Sequence, residues 1–190
     1  MKKLSILICS LENRKQPLEK LLKNLEKQRT DEVEILTEID NGEMTVGAKR
    51  QKLLERSVSD YLSFVDDDDD VASDYILELL KAIADDPDCV GLEGVWTIHK
   101  TIRYIYWGLE YDWKRIGRNY YIGTNHITPV RREIALEAGF PDKSSGEDQE
   151  YGRRVRKIAK KEIKINKKLY FYNCDPLHSA IVEAKKRHGK

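Results

Sequence analysis

The sequence predicts an α/β fold, a central, mostly parallel mixed sheet flanked by helices. Three observations predict it. Three strand–helix units follow one another in the first hundred residues, the order that builds parallel sheets with right-handed crossovers. The first strand is apolar along its whole length, as a strand covered on both faces must be. Each strand then runs into a polar or acidic loop, and parallel sheets bind ligands outside their carboxyl ends. At 190 residues the chain can bury a core. It reads as one domain: a ligand- and metal-binding half over 1–100, a second half over 101–178, and a short basic tail over 179–190.

Leu4 to Cys9 is the buried first strand. Ser10 to Gln16 follows as a loop, and Pro17 suits the first turn of a helix carrying Leu18, Leu21, Leu22 and Leu25 at helical spacing. Val33 to Ile39 is the second strand, closed by the turn signal Asp40-Asn41-Gly42. Thr45 caps a helix through Val46, Leu53 and Leu54. Tyr61 to Val65 is the third strand, and Ser73 is read as the cap of a helix through Tyr75, Ile76, Leu79, Leu80 and Ile83.

The second half is less regular. Cys89 to Ile98 and Thr101 to Trp107 read as a hairpin around His99-Lys100. The aromatic, Arg-rich stretch Tyr111 to Tyr121 is broken by Gly117, and Gly123 follows it. His126 to Val130 leads into a helix from Arg131 to Ala138, stopped by Gly139-Phe140-Pro141. Asp142 to Gly146 reads as a mobile polar loop, Glu147 to Lys161 as a basic helix, and Ile163 to Ile165 and Leu169 to Tyr172 as two edge strands.

Composition excludes several classes. Charged residues make up 35% and hydrophobic residues 40%, as in a globular protein. No apolar run approaches the length that spans a bilayer. Three cysteines, without a CxxC pair, read as free thiols in a reducing cytoplasm. Residues 1–100 carry 14 Lys and Arg against 22 Asp and Glu, and residues 101–190 carry 20 against 11. That asymmetry suits an anionic partner for the second half, or simply solvated helix faces.

The chemical signal is Asp66 to Asp70, five carboxylates directly after the third strand. Crowded carboxylates repel. A hard cation such as Mg²⁺ or Mn²⁺ removes that cost and bridges to phosphates. The competing reading is a solvated acidic turn.

In Phe64-Val65-Asp66-Asp67-Asp68-Asp69, with Ser73-Asp74-Tyr75-Ile76 after it, the chain resembles the family 2 glycosyltransferases, nucleotide-sugar enzymes of the GT-A (Rossmann-like) fold. The likeness runs over about residues 3–178. Ile6 to Arg14 sits where that family has its first strand and nucleotide loop. Gly47-Ala48-Lys49-Arg50-Gln51 resembles its G-x-x-R-N helix start, with Gln for Asn. Pro129 to Glu133 with Ala138-Gly139-Phe140 resembles its acceptor-side helix, and Gly146-Glu147-Asp148-Gln149-Glu150 its E-D motif. A similar His-x-x-Pro-Val-Arg-Arg segment occurs in phage members, which leaves a phage origin open. Two departures matter. The processive synthases' Q-x-x-R-W motif is missing, which implies a single transfer, and Cys9 to Asn13 replaces the usual Pro-Thr-Tyr-Asn.

The resemblance implies a metal-dependent, inverting transfer of one sugar, hexosyl or pentosyl, from a nucleotide-sugar, with a UDP-sugar expected as donor. It implies Asp148 as the base and Glu147 as its neighbour. Asp68 would ligate Mn²⁺ or Mg²⁺, with Asp66 on the metal's water shell or the ribose. Late in the chain, His178 is the candidate third ligand, against a surface His. Ser10, Glu12, Asn13, Arg14, Asp40 and Arg50 (or Lys49) are the nucleotide candidates. The bland reading of Lys49 and Arg50 is an exposed helix pair. Gly94, Trp107, His126 and Arg131 are candidates for the donor-sugar and acceptor side, with Trp113, Tyr120 and Tyr121 as stacking candidates. The acceptor stays open among glycan, lipid-linked, protein and nucleic-acid hydroxyls, anionic ones included. Two other readings stand beside this one. One is a nucleotidyltransferase, which would want a glycine-rich loop after the first strand. The other is a non-catalytic nucleotide- or nucleic-acid-binding module.

Overall fold

A computed structural model describes residues 2–98 and 101–173. His178, Cys174, residues 179–190 and the expected hairpin connection at His99 and Lys100 lie outside the described residues. Ten strands join one sheet in the order β2-β1-β3-β9-β5-β6-β8-β7, with β10 against β5 and β4. The strands are β1 (Leu4–Leu11), β2 (Val33–Asp40), β3 (Tyr61–Phe64), β4 (Asp70–Val71), β5 (Cys89–Ile98), β6 (Thr101–Trp107), β7 (Lys114–Ile116), β8 (Asn119–Ile122), β9 (Val130–Arg131) and β10 (Glu162–Asn173). The helices are α1 (Lys15–Glu26), α2 (Val46–Arg56), α3 (Tyr75–Ile83), α4 (Arg132–Ala138) and α5 (Glu147–Ile158).

The parallel core β2-β1-β3 is as expected: Leu7 of β1 lies beside both Leu36 and Phe64. Leu4, Ile6, Leu7 and Ile8 are wholly buried because helices cover both faces. On one face Ile6 and Ile8 pack with Leu21 and Leu25 of α1 and Ile76 and Leu79 of α3. On the other, Leu7 and Phe64 pack with Leu53 and Leu54 of α2, Ala135 of α4 and Tyr151 and Val155 of α5.

Several expectations are corrected. The first strand runs on to Leu11, and a 3-10 turn (Glu12–Arg14) leads straight into α1, so Ser10 to Gln16 is no open loop. Thr45 does cap α2, its Oγ1 accepting from Ala48 N at 3.0 Å. Ser73 does not cap α3: Asp74 occupies that position, without a side-chain cap. Residues 162–173 form one long strand rather than two edge strands. It runs parallel to β5 and antiparallel to β4, with register breaks near Lys168. Residues 142–146 lie against the start of α2. Gly47 N donates to Lys143 O at 3.0 Å, and Thr45 Oγ1 donates to Asp142 at 2.6 Å. Gly47 permits this approach, since a Cβ there would lie 1.9 Å from Pro141 O.

Candidate active site

The aspartate run leaves β3 into a hydrogen-bonded turn over Asp67 and Asp68, which sends successive side chains in different directions. Asp67 and Asp69 turn inward and are buried, Asp66 and Asp70 are half-buried, and Asp68 is exposed. Each buried carboxylate has partners. Asp67 accepts from Ser10 Oγ at 2.5 Å and pairs with Arg14 at 2.8 Å. Asp69 accepts from Tyr170 Oη of β10 at 2.7 Å, and Tyr170 Oη in turn accepts from Asp66 N at 3.2 Å. Asp69 N donates to Asp66 O, closing the turn. Asp70 is bonded to Asn24 of α1, so it anchors the loop from behind. The turn leaves Asp68, two residues after Asp66, as the exposed carboxylate of the run.

Those two carboxylates line a cleft of about 1100 Å³ at the carboxyl ends of β1 and β3. Asp148, in the first turn of α5, lines the same cleft. Between the two acidic groups lie Arg50 and His126. Arg50, 4% exposed, donates from Nη2 to Asp66 at 2.9 Å and from Nη1 to Glu147 at 2.5 Å. Its guanidinium also stands over the rings of Phe64 and Phe140. His126 lies beside the end of β3 because Phe64 N donates to His126 O at 3.1 Å. Its Nε2 donates to Asp66 at 3.2 Å, and its Nδ1 lies 3.6 Å from Asp148.

The electrostatics follow from this chain of charges. Burial pushes the Asp66 carboxyl up, but His126 and Arg50 outweigh it and hold Asp66 well below the usual carboxylate range. Burial likewise opposes Asp148, and His126 and Arg50 again leave it lowered. Burial and Arg50 push the His126 imidazole down, yet Asp66 and Asp148 carry it above its ordinary value. Asp67 goes the other way: burial outweighs Ser10 and Arg14 and raises it. Burial also pushes the Cys9 thiol, on the cleft floor, up to about 12.

The sequence candidates divide. Ser10, Arg14, Arg50, Asp66, Asp68, Trp107, His126, Glu147 and Asp148 converge on the cleft, as do Trp113 and Tyr120. Asp40 sits at its edge, paired with Lys49 at 2.7 Å and accepting from Met44 N. Lys49 is buried rather than an exposed helix residue, and also holds Ser10 O. Glu12 and Asn13 are exposed on the 3-10 turn, away from the cleft lining. Gly94 serves packing: a Cβ there would lie 2.6 Å from the Trp107 ring. Arg131 is at the opposite end of the sheet. Antiparallel pairing of β9 with β3 puts it beside Tyr61, where it binds Asp86 and stacks on the Tyr61 ring. The Arg50–Glu147 pair was not foreseen: the two residues are 97 apart, and only their opposite charges, each near a helix start, hinted at it.

Five carboxylates (Asp66, Asp67, Asp68, Glu147 and Asp148) thus face two guanidinium groups and one imidazole. That donor set fits a divalent cation. Both oxygens of Asp66 are engaged by Arg50 and His126, while Asp68 carries 41% exposure beside Arg14. Among the described residues no three His, Cys, Asp or Glu side chains converge as a cage. The chemistry suits an ion that takes most of its ligands from phosphate and water, as Mg²⁺ does.

No protein-family model matches the chain, and no curated protein does. Solved structures do resemble it. TarS of S. aureus, residues 1–349 in complex with UDP, superposes with a TM-score of 0.71 at 16% identity, over 92% of this chain and 61% of that one. The complex of the same protein with UDP-GlcNAc gives 0.69 at 14%, over 91% and 59%. The mannosyltransferase PcManGT from Pyrobaculum calidifontis, in complex with GDP-Man and Mn²⁺, gives 0.59 at 11%, over 89% and 56%. Against the longer TarS structure the chain spans 37% of the length. At these identities the likeness is one of fold, and the chain has the GT-A glycosyltransferase fold.

Proposed function

We propose that this chain is a metal-dependent, inverting glycosyltransferase that moves one sugar from a UDP-sugar to an acceptor hydroxyl. The observation that carries the reading is the placement of Asp148 across one cleft from Asp66 and Asp68. The described residues then act as one catalytic unit, with β1 to α3 on the donor side and α5 on the acceptor side. The reducing cytoplasm, where nucleotide-sugars are made, suits its free thiols Cys9 and Cys89.

In the reaction Asp148 takes the acceptor's hydroxyl proton. The acceptor oxygen bonds to the anomeric carbon as the carbon–oxygen bond to the diphosphate breaks, and that electron pair leaves on the diphosphate. A cation held at Asp68 would neutralise the leaving diphosphate's charge. Arg14 already bridges Asp67 and Asp68 with a positive charge at this point and is placed to meet the same phosphates. Arg50 keeps Asp66 and Glu147 in place, and Lys49 with Asp40 lines the nucleotide end.

A thermal-shift panel of nucleotide-sugars with and without Mn²⁺ tests the reading, because ligand binding raises apparent stability by mass action. A UDP-sugar is expected to raise the melting temperature only with metal. Absence of a shift with every nucleotide-sugar would refute the proposal. Asp148→Asn should keep the shift and lose transfer; full turnover in that variant would remove Asp148 as the base.

A further inference from the structure

The geometry points to His126 as a positioning residue that ties the donor-side carboxylate Asp66 to Asp148 and sets the base's orientation. The inference rests on the reading of Asp148 as the base. His126 is 6% exposed. The charged groups around its ring come from three elements: Asp66 after β3, Arg50 on α2 and Asp148 on α5. Nε2 is satisfied by Asp66 at 3.2 Å. Nδ1 is buried without a hydrogen-bond partner, and Asp148 Oδ2 stands 3.6 Å from it. That is beyond hydrogen-bond length. Natural structures leave few buried polar atoms unpaired, and at catalytic positions such contacts tighten in the loaded enzyme.

The two backbones that carry this pair are locked together. Thr124 Oγ1 donates to Gly152 O at 2.9 Å, and a Cβ on Gly152 would lie 1.7 Å from Thr124 O. Gly152 is one helical turn after Asp148, and Thr124 is two residues before His126. Closing the gap therefore needs only side-chain adjustment. Asp148 Oδ1 already accepts from Gln149 N at 2.8 Å. With Oδ2 held by Nδ1–H, the plane of the carboxylate is set, and its remaining lone pairs are what the acceptor hydroxyl meets. The ring, set between Asp66 and Asp148, thereby links the donor loop to the base.

Two variants separate this role from simple support of Asp66. Asn places an amide nitrogen near the Nδ1 position, and Gln places one near Nε2. With UDP-GlcNAc, Mn²⁺ and water as acceptor, both His126→Asn and His126→Gln are expected to bind UDP like the parent. His126→Gln should lose roughly 100-fold in sugar release, as misplaced catalytic groups do, and His126→Asn should retain most of it. Equal losses, or the reverse order, would overturn the proposal. An independent readout needs no turnover. In the full chain labelled with ¹⁵N-histidine, four imidazoles are present, and the His126 Nδ1 resonance is expected to move on Asp148→Asn. An unmoved resonance would overturn the contact. If the parent chain releases sugar from no donor, the glycosyltransferase reading fails, while the Nδ1 resonance still decides the link between His126 and Asp148.

Discussion

Replacing Arg50 by Met removes a buried guanidinium that pairs with two carboxylates at once. The side chains are similar in length, so packing against Phe64 and Phe140 is largely kept. The two carboxylates left behind differ. Asp66 is 30% exposed and retains His126, so water and the imidazole compensate it in part. Glu147 is 8% exposed, with Arg50 its ion-pair partner, and bears most of the loss. Breaking a buried pair by removing one partner costs roughly 3–5 kcal/mol. The partial solvation of Asp66 puts the expectation at the lower end, about 3 kcal/mol. For a chain of this length that corresponds to a fall in melting temperature of about 6–12 °C. Urea unfolding at pH 7 reads the loss directly, and Arg50→Met/Glu147→Gln should recover about half of it, since the stranded charge is then gone. A loss below about 1 kcal/mol, or a double variant no more stable than the single one, would refute the argument that Arg50 compensates a buried Glu147.

Gly152→Ala forces a Cβ into the Thr124 carbonyl. It should destabilise by about 1–3 kcal/mol and, by pushing α5 from His126, lower sugar release more than UDP affinity; steady-state kinetics with a melting curve checks both. The trio Asp66–His126–Asp148 also predicts a pH profile. The folded pKa values of both carboxylates are depressed, so their contribution is present above about pH 4 and lost as pH falls. His126 is raised, so its contribution is complete below about pH 6.5 and is lost as pH climbs through its folded value. The stability difference between the parent and His126→Gln, measured by urea midpoints, should therefore shrink above pH 6.5; a difference that grows there would contradict the sign. Asp68→Ala should abolish the Mn²⁺ dependence of UDP binding in calorimetry while leaving the melting temperature close to the parent's, because Asp68 is exposed.

The local order of this protein was readable from its sequence. The largely apolar run Leu4 to Cys9 has the length of a strand covered on both faces, and the Leu spacing of residues 18–25 that of a helix with one buried side; both form as read. The acidic run was legible as such, but which of its carboxylates face inward was set by the turn over Asp67 and Asp68 and by Ser10, Arg14 and Tyr170. Long strands with a register break were not legible. The stretch Lys164 to Lys168 looks like a turn, yet β5 pairs with both its ends and β4 joins further on, at Tyr170 and Phe171.

What only the tertiary structure decided is which charges meet. Arg50 and Glu147 lie 97 residues apart and His126 and Asp66 lie 60 apart. Their separations depend on backbone approaches at Gly47 and Gly152 that no local pattern encodes. The same holds for Arg131, which strand direction carries away from the cleft. The strand–helix units of the first half are set by neighbours within a few residues, so the sequence alone determined them, whereas the single long β10 took strand partners from elsewhere in the fold. A charge's energy is set by whatever the fold brings within a few ångströms of it, and that is decided only when the sheet and its helices close.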